Sequence, residues 1–310
     1  MVDGALRESQ GDGALKALPS LLSQPAASVW VDLSAPSPNQ VEAVGSLLGL
    51  HPLIVEDILE GNQRAKIETT DGVVHIVLFA LDRAEVVAIN EIDLVLGLGF
   101  LLSVHGAEWD PRQSHHLRRG LQPILAKGPD HLLWAIGDDI VDGYFPYADR
   151  LGDAIDAVQD AVIAEATPDT LERLFALKRE LIEVRRAAGP TREVFSQLTD
   201  RELTLIDPEE VIFFRDVYDH VIRLTDEMDN YRELAASTLD VYLTQVNNNL
   251  SVIMKRLTGV TVILAGIGAV AGIFGMSEAR TELGGFWVVS AGIVAASSAA
   301  AVFLRRIGWI

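Results

Sequence analysis

The sequence has no cysteine, few aromatic residues and too few basic side chains to balance its acids. Without thiols there is neither a disulfide framework nor a Cys-based zinc site. Stability must come from burial, which a 310-residue chain can supply. Forty-four Asp and Glu against 25 Lys and Arg leave a formal charge of −19, the opposite of a nucleic-acid-binding footprint. Enzyme signatures are missing as well: there is no HExxH, GxSxG, P-loop or GxGxxG, and the seven histidines show no metal-ligand spacing. His115, His116 and His220 read as structural, and Asp138, Asp139 and Asp142 as one face of a helix.

What the chain does have is apolar length. Leu257–Met276 runs 20 residues without a charge and Phe286–Leu304 runs 19. At 1.5 Å per residue each spans roughly 30 Å, the thickness of a bilayer core. The short linker between them predicts an antiparallel transmembrane hairpin. Lys255 and Arg256 precede the first span, and Arg305 and Arg306 follow the second. Positive flanks stay inside, so both termini are expected in the cytoplasm and the linker outside, an inner-membrane topology. Trp287 and Trp309 stand where interfacial aromatics anchor a helix. No basic segment followed by an apolar run marks a signal peptide. Residues 255–310 hold five basic and two acidic side chains, so residues 1–254 carry 20 and 42, a net −22. Acidic surface of this kind by itself reads as keeping a domain soluble; beside a membrane hairpin it would also concentrate cations and repel anions.

The part before the spans divides in two. After a Gly- and Ser-rich stretch (1–27) expected to be poorly ordered, short β-branched runs at 28–33, 73–81, 86–97 and 100–105 predict strands. Gly97-Leu98-Gly99 forms the turn between the last two, and Ser37-Pro38 opens an intervening helix. The expectation is an α/β domain over residues 1–128. A long-helix stalk follows over 129–256, then the first span at 257–276, a loop at 277–285, the second span at 286–304 and a basic tail at 305–310. In the stalk, Pro168 and Gly189-Pro190 are expected to break helices. Asp207-Pro208-Glu209-Glu210 signals the start of a helix that meets no Gly or Pro until past Thr258. Phe214, Val217, Val221, Leu224, Met228, Tyr231, Ala235 and Tyr242 follow steps of three and four with one gap at Thr238, a seam that needs partner helices. Beyond it Thr238, Gln245, Asn249 and Ser251 are polar. They read either as residues exposed near a membrane or as the wall of a hydrated pore made where copies of this helix meet. Two spans cannot enclose an aqueous path alone, so transport requires oligomerisation. Gly268 and Gly272 form a small-xxx-small pair suited to close helix packing.

Read in order, several segments resemble the CorA family of divalent-cation transporters, over nearly the whole chain from about Asp32. These are LHPLIVEDI (50–58), QRAKIE (63–68), LLWAIGDDIVDGYFP (132–146), LKRELIEVRR (177–186), PTREV (190–194), FFRDVYDH (213–220), DVYL (240–243), IMKRLT (253–258) and AGIFGMS (271–277). The resemblance implies a funnel-shaped homopentamer in the bilayer that passes Mg²⁺, with Co²⁺ or Ni²⁺ tolerated. The pore mouth falls at Gly275-Met276-Ser277, where the family has Gly-Met-Asn. Mg²⁺ sheds water reluctantly, so a hydrogen-bonding ring suits it, and Ser offers one oxygen where Asn offers an amide. The loop after it reads Arg280-Thr281-Glu282-Leu283 where the family has Met-Pro-Glu-Leu, and its acids are Glu278 and Glu282. Ser251, Leu257 and Gly268 match pore-lining positions, Gly268 standing for a Thr. Regulatory Mg²⁺ is implied at Asp216, with Asp82 as its partner. Two other readings share these residues: Zn²⁺ transport, as in the ZntB branch, and an Mg²⁺-responsive scaffold that moves no ion.

Overall fold

The structure, a computed structural model, describes residues 1–2, 5–24, 27–61, 63–81, 89–200, 203–276 and 285–309. It separates into two compact units. One comprises residues 1–158 and 172–236, and the other 159–171 and 237–310.

The first unit is built on a five-stranded sheet of β1 (Val29–Ser34), β2 (Lys66–Thr70), β3 (Val73–Leu81), β4 (Ile89–Gly97) and β5 (Phe100–His105). Its order is β1-β5-β4-β3-β2, with β1 parallel to β5 and the other pairs antiparallel. One face is covered by α1 (Asp12–Leu22), α2 (Pro38–Leu48) and α3 (Pro52–Glu60), through Leu18, Val41, Val44, Ile54 and Ile58 packed on Val73, Val95 and Leu102. After the short α4 (Leu121–Leu125), α5 (Pro129–Asp142) lies against β3, β4 and β5. With helices on both sides, β3 carries a continuous apolar run, not an alternating one.

Local chemistry explains the ends. Ser37 and Gln40 form a capping box at α2, the Ser37 N–H donating to Gln40 Oε1 at 2.8 Å, with Pro38 preset at the first position. The β2–β3 hairpin turns on Asp71-Gly72, at φ +50° and +79°, the left-handed pair that a two-residue turn of this type needs. Gly99, at φ +77°, turns β4 into β5 as expected.

Three expectations change. Residues 12–22 are helical, because Leu18 and its apolar neighbours bury against α2 and the sheet. Lys66–Thr70 is an edge strand that charge-rich KIETT does not advertise. Gly189-Pro190 does not end its helix: α7 (Pro168–Leu198) runs straight through. An interior proline costs about 3 kcal/mol in an exposed helix. Here buried Ala187, Ala188, Val194 and Phe195 hold both sides, and Thr191 Oγ1 donates to the Ala187 carbonyl at 3.0 Å.

α6 (Phe145–Ala164), α7 and α8 (Val211–Met276) carry the remaining apolar seam. Asp207 accepts from the Glu209 N–H at 2.8 Å, and α8 proper begins two residues later. Of the seam residues, Phe214, Val217, Val221, Leu224, Met228, Ala235 and Tyr242 are buried, as is Thr238 in the gap. Tyr231 is half-covered, with its ring against Gly152.

In the second unit α8 is long and apolar enough to cross a membrane, and only 6% of its apolar window is covered. α9 (Gly285–Arg306) ends on Arg305 and Arg306. Between α8 and α9 runs an apolar groove lined by Ile263, Ile267, Val270, Ile293, Ala296 and Phe303.

A candidate cation centre on a parallel helix pair

α5 and the start of α8 touch at three places: His131 with Glu210, Trp134 with Phe213, and Asp142 with His220. The offsets in sequence are 79, 79 and 78 residues. A constant offset means two helices running parallel, side by side and in register.

At the C-terminal end of this pair, Asp138 and Asp142 stand one turn apart on α5 and face His220 on α8. Their ligand atoms all lie within 4.8 Å of one another. His220 Nδ1 is 3.7 Å from Asp142 Oδ1 and lacks a hydrogen-bond partner among the described residues. Its Nε2 is 4.0 Å from Asp216 Oδ2, one turn back on α8. Phe145 meets the His220 ring edge-on, and the Arg223 guanidinium covers Phe145. Asp138 is itself held by His116 Nε2 at 2.7 Å, and Asp139 accepts the His115 N–H at 2.8 Å.

The electrostatics are those of carboxylates crowded together. Burial raises the pKa of Asp142, and the charges of Asp138 and Asp139 push further the same way, against His220 and His116. Burial likewise raises Asp139, opposed by the His115 N–H. A cation among these groups would relieve that strain. Two carboxylates and an imidazole are a donor set that fits a divalent ion, with oxygens for Mg²⁺ and a nitrogen for borderline metals.

The structure thus brings together three residues that the sequence reading assigned to structural roles, with Asp216 near one of them, His220. The available signal was spacing, Asp138 and Asp142 at i, i+4 on one helix and Asp216 and His220 at i, i+4 on another. Asp82 lies outside the described residues, as do Ser277, Glu278 and Glu282. Gly275 and Met276 end α8. Ser251, Leu257 and Gly268 are all exposed on α8. At about 100° per residue, Leu257 and Gly268 share a face and Ser251 lies roughly 120° around from it.

A second group, Asp57, Glu68 and His75, also has ligand spacing. The Lys66 ammonium already fills that role, 2.5 Å from Asp57 and 3.1 Å from Glu68.

The chain thus combines a mixed sheet clad in helices with a helix long and apolar enough to cross a membrane. Residues 25–306 match the family described as CorA-like Mg²⁺ transporter protein. The chain is 35% identical over 267 residues to the cobalt/magnesium transport protein CorA of Thermotoga maritima, covering 83% of this chain and 76% of that one. The complete structure of the CorA magnesium transporter from Methanocaldococcus jannaschii superposes with a TM-score of 0.79 at 24% identity, covering 91% and 92%. The ZntB cytoplasmic domain of Vibrio parahaemolyticus gives 0.60 at 16% identity, covering 73% and 96%. The chain belongs to the CorA-like Mg²⁺ transporter family.

Proposed function

We propose that this CorA-like divalent-cation transporter carries Mg²⁺ into the cell down its electrochemical gradient, with Co²⁺ and Ni²⁺ as further cargo. The carrying observation is family membership over residues 25–306, together with an α8 whose apolar surface is left uncovered. An uncovered helix of this kind calls for lipid on one side and other copies on the other. We read the assembly as a homopentamer around α8, with α9 completing a hairpin and both termini inside. Leu257, Gly268 and Ser251 would line the path, and Gly275, Met276 and Ser277 its mouth, with Glu278 and Glu282 nearby. The residues 1–128, 129–256 and 257–310 would then be the α/β cytoplasmic domain, the long-helix stalk and the membrane part. An inside-negative potential contributes about 2.3 kcal/mol per charge per 100 mV, so a dication gains about twice that on the way in.

Control by internal Mg²⁺ is the second part of the reading. Asp216, with Asp138, Asp142 and His220, would hold the regulatory ion, and Asp82 would supply the neighbouring copy's carboxylate. A bound dication there supplies positive charge that offsets the mutual repulsion of the carboxylates and so favours the closed state. The chain's own part is to present those groups on two helices, of which α8 continues to the membrane.

The test is growth at limiting Mg²⁺ of cells stripped of their own Mg²⁺ uptake. Rescue by the native chain supports the reading. Failure to rescue, with the protein present and pentameric in the membrane, supports the scaffold reading instead. Rescue of Zn²⁺ uptake alone, dependent on a proton gradient, would move the chain to the zinc branch, whose cytoplasmic domain shares the fold.

A further inference from the structure

The two ends of the α5–α8 pair are held very differently. At the far end the contact is loose and partly exposed, His220 Nδ1 lying 3.7 Å from Asp142 Oδ1. At the near end they are tight and buried. His131 Nδ1 lies 2.5 Å from Glu210 Oε2, and both side chains are shielded from water. The His131 ring meets Phe213 edge-on at 5.4 Å, Trp134 meets Phe213 at a tilt with centroids 4.9 Å apart, and the Asp207 N–H donates to Asp130 Oδ2 at 2.9 Å. Lys127 closes over the outer side of Phe213. A carboxylate as buried as Glu210 is tolerable only while paired, so this contact is strongly favoured over separation. Eleven residues of α5, about 16 Å, separate His131 from Asp142.

We propose that His131 and Glu210 are positioning residues for cation control, a latch that fixes the first turn of α8 on α5. Drawing Asp138 and Asp142 toward His220 then closes a pair already joined at one end. Without the latch, the same ligand groups must also bring together two helix ends, and the ordering cost is charged against cation binding. The inference rests on the reading that the Asp138–Asp142–His220 centre is regulatory.

The experiment uses the full chain in liposomes, with two numbers read for each variant: the maximal Mg²⁺ flux, and the internal Mg²⁺ that halves it. Glu210→Gln and His131→Gln should leave the maximal flux unchanged and raise the half-inhibiting Mg²⁺ at least threefold. The double variant should be no worse than either single change, because the two groups act as a pair. Unchanged half-inhibition in both single variants overturns the latch. Asp142→Asn and His220→Ala separate this failure from the underlying one. If they abolish inhibition while the latch variants leave it alone, only the latch is wrong. If they leave inhibition intact, the regulatory centre is wrong and the latch falls with it.

Trp134 provides a readout in the native protein should the variants fail to assemble. It touches His116, His131 and Phe213 with ring centroids 4.6–4.9 Å apart. Its emission, assigned by difference from Trp134→Phe, should change over the same Mg²⁺ range as the flux, because the His116 it touches also holds Asp138. Constant Trp134 emission through full inhibition would mean that Asp138 takes no part in closure, and the latch would fall with the centre.

Discussion

His105, at the end of β5, sits between two acceptors: the Asp32 carboxylate on β1, 3.2 Å from Nε2, and the Gly106 carbonyl, 2.6 Å from Nδ1. Only a ring protonated on both nitrogens can donate to both. Burial by itself would lower the His105 pKa. The hydrogen bonds to Asp32 and Gly106 and the charges of Asp32 and Asp110 outweigh it, so the net shift is upward. Ser103 Oγ donates to the same Asp32 oxygen and accepts from Trp30 Nε1. The trio of Ser, His and Asp is therefore a structural knot across β1 and β5, with its serine bonded to the carboxylate and not to the imidazole.

A histidine whose folded pKa exceeds its unfolded value contributes stability in full below the unfolded value, about 6.5, and loses it as pH rises through the folded one. Thermal unfolding of the native chain should therefore lose stability above about pH 6.5 relative to His105→Gln. Parallel pH profiles for the two proteins would show that the ring is neutral in the fold.

Glu91 predicts the same sign from the opposite kind of group. Half-buried on β4, it is pushed up to about 7, first by burial and then by the Asp93 charge, against the Gln63 N–H, His75 and Lys66. The folded state holds a proton that the unfolded state has released, so stability falls as pH rises from about 4.5 to 7. Glu91→Gln should flatten this fall and be the more stable protein at pH 8. Solvent screening limits the gain to a few tenths up to about 1 kcal/mol. A Glu91→Gln profile no flatter than the native one would contradict the assignment.

Gly45 is fixed by packing. A Cβ added there would lie 2.7 Å from Val55 Cγ2, where α2 crosses α3. Gly45→Ala should cost about 1–3 kcal/mol, read by denaturant unfolding, and Val55→Ala should relieve part of it. Additive losses in the double variant would mean that the two residues do not meet.

The sheet was largely legible. β3 and β5 run over the mainly apolar stretches read from the sequence, because burial on both faces leaves few polar positions, His75 in β3 and Ser103 and His105 in β5. β2 was not, since an edge strand can be polar; the signal that marks it is Asp71-Gly72, between KIETT and VVHI. The α8 seam was legible because its period is local. The cation centre was only partly so. Asp216 came from a resemblance, whereas the meeting of its neighbour His220 with Asp142 depends on an offset of 78 residues that no local pattern encodes. Pro190 misled because the cost of a proline is local and the packing that outweighs it is not.

If Ser277 stands at the pore mouth as proposed, Ser277→Asn should raise apparent Mg²⁺ affinity by restoring an amide that bonds metal-bound water. Flux measured against external Mg²⁺ reads this directly. A lower affinity in the variant would place Ser277 away from the ion path.

The most direct measurement is Mg²⁺ influx into liposomes holding the purified chain, under an inside-negative potential, with internal Mg²⁺ clamped low in one set and high in the other. The account predicts rapid influx at low internal Mg²⁺ that collapses at high, with no need for a pH gradient. No influx in either set, or influx only with a proton gradient, would contradict it.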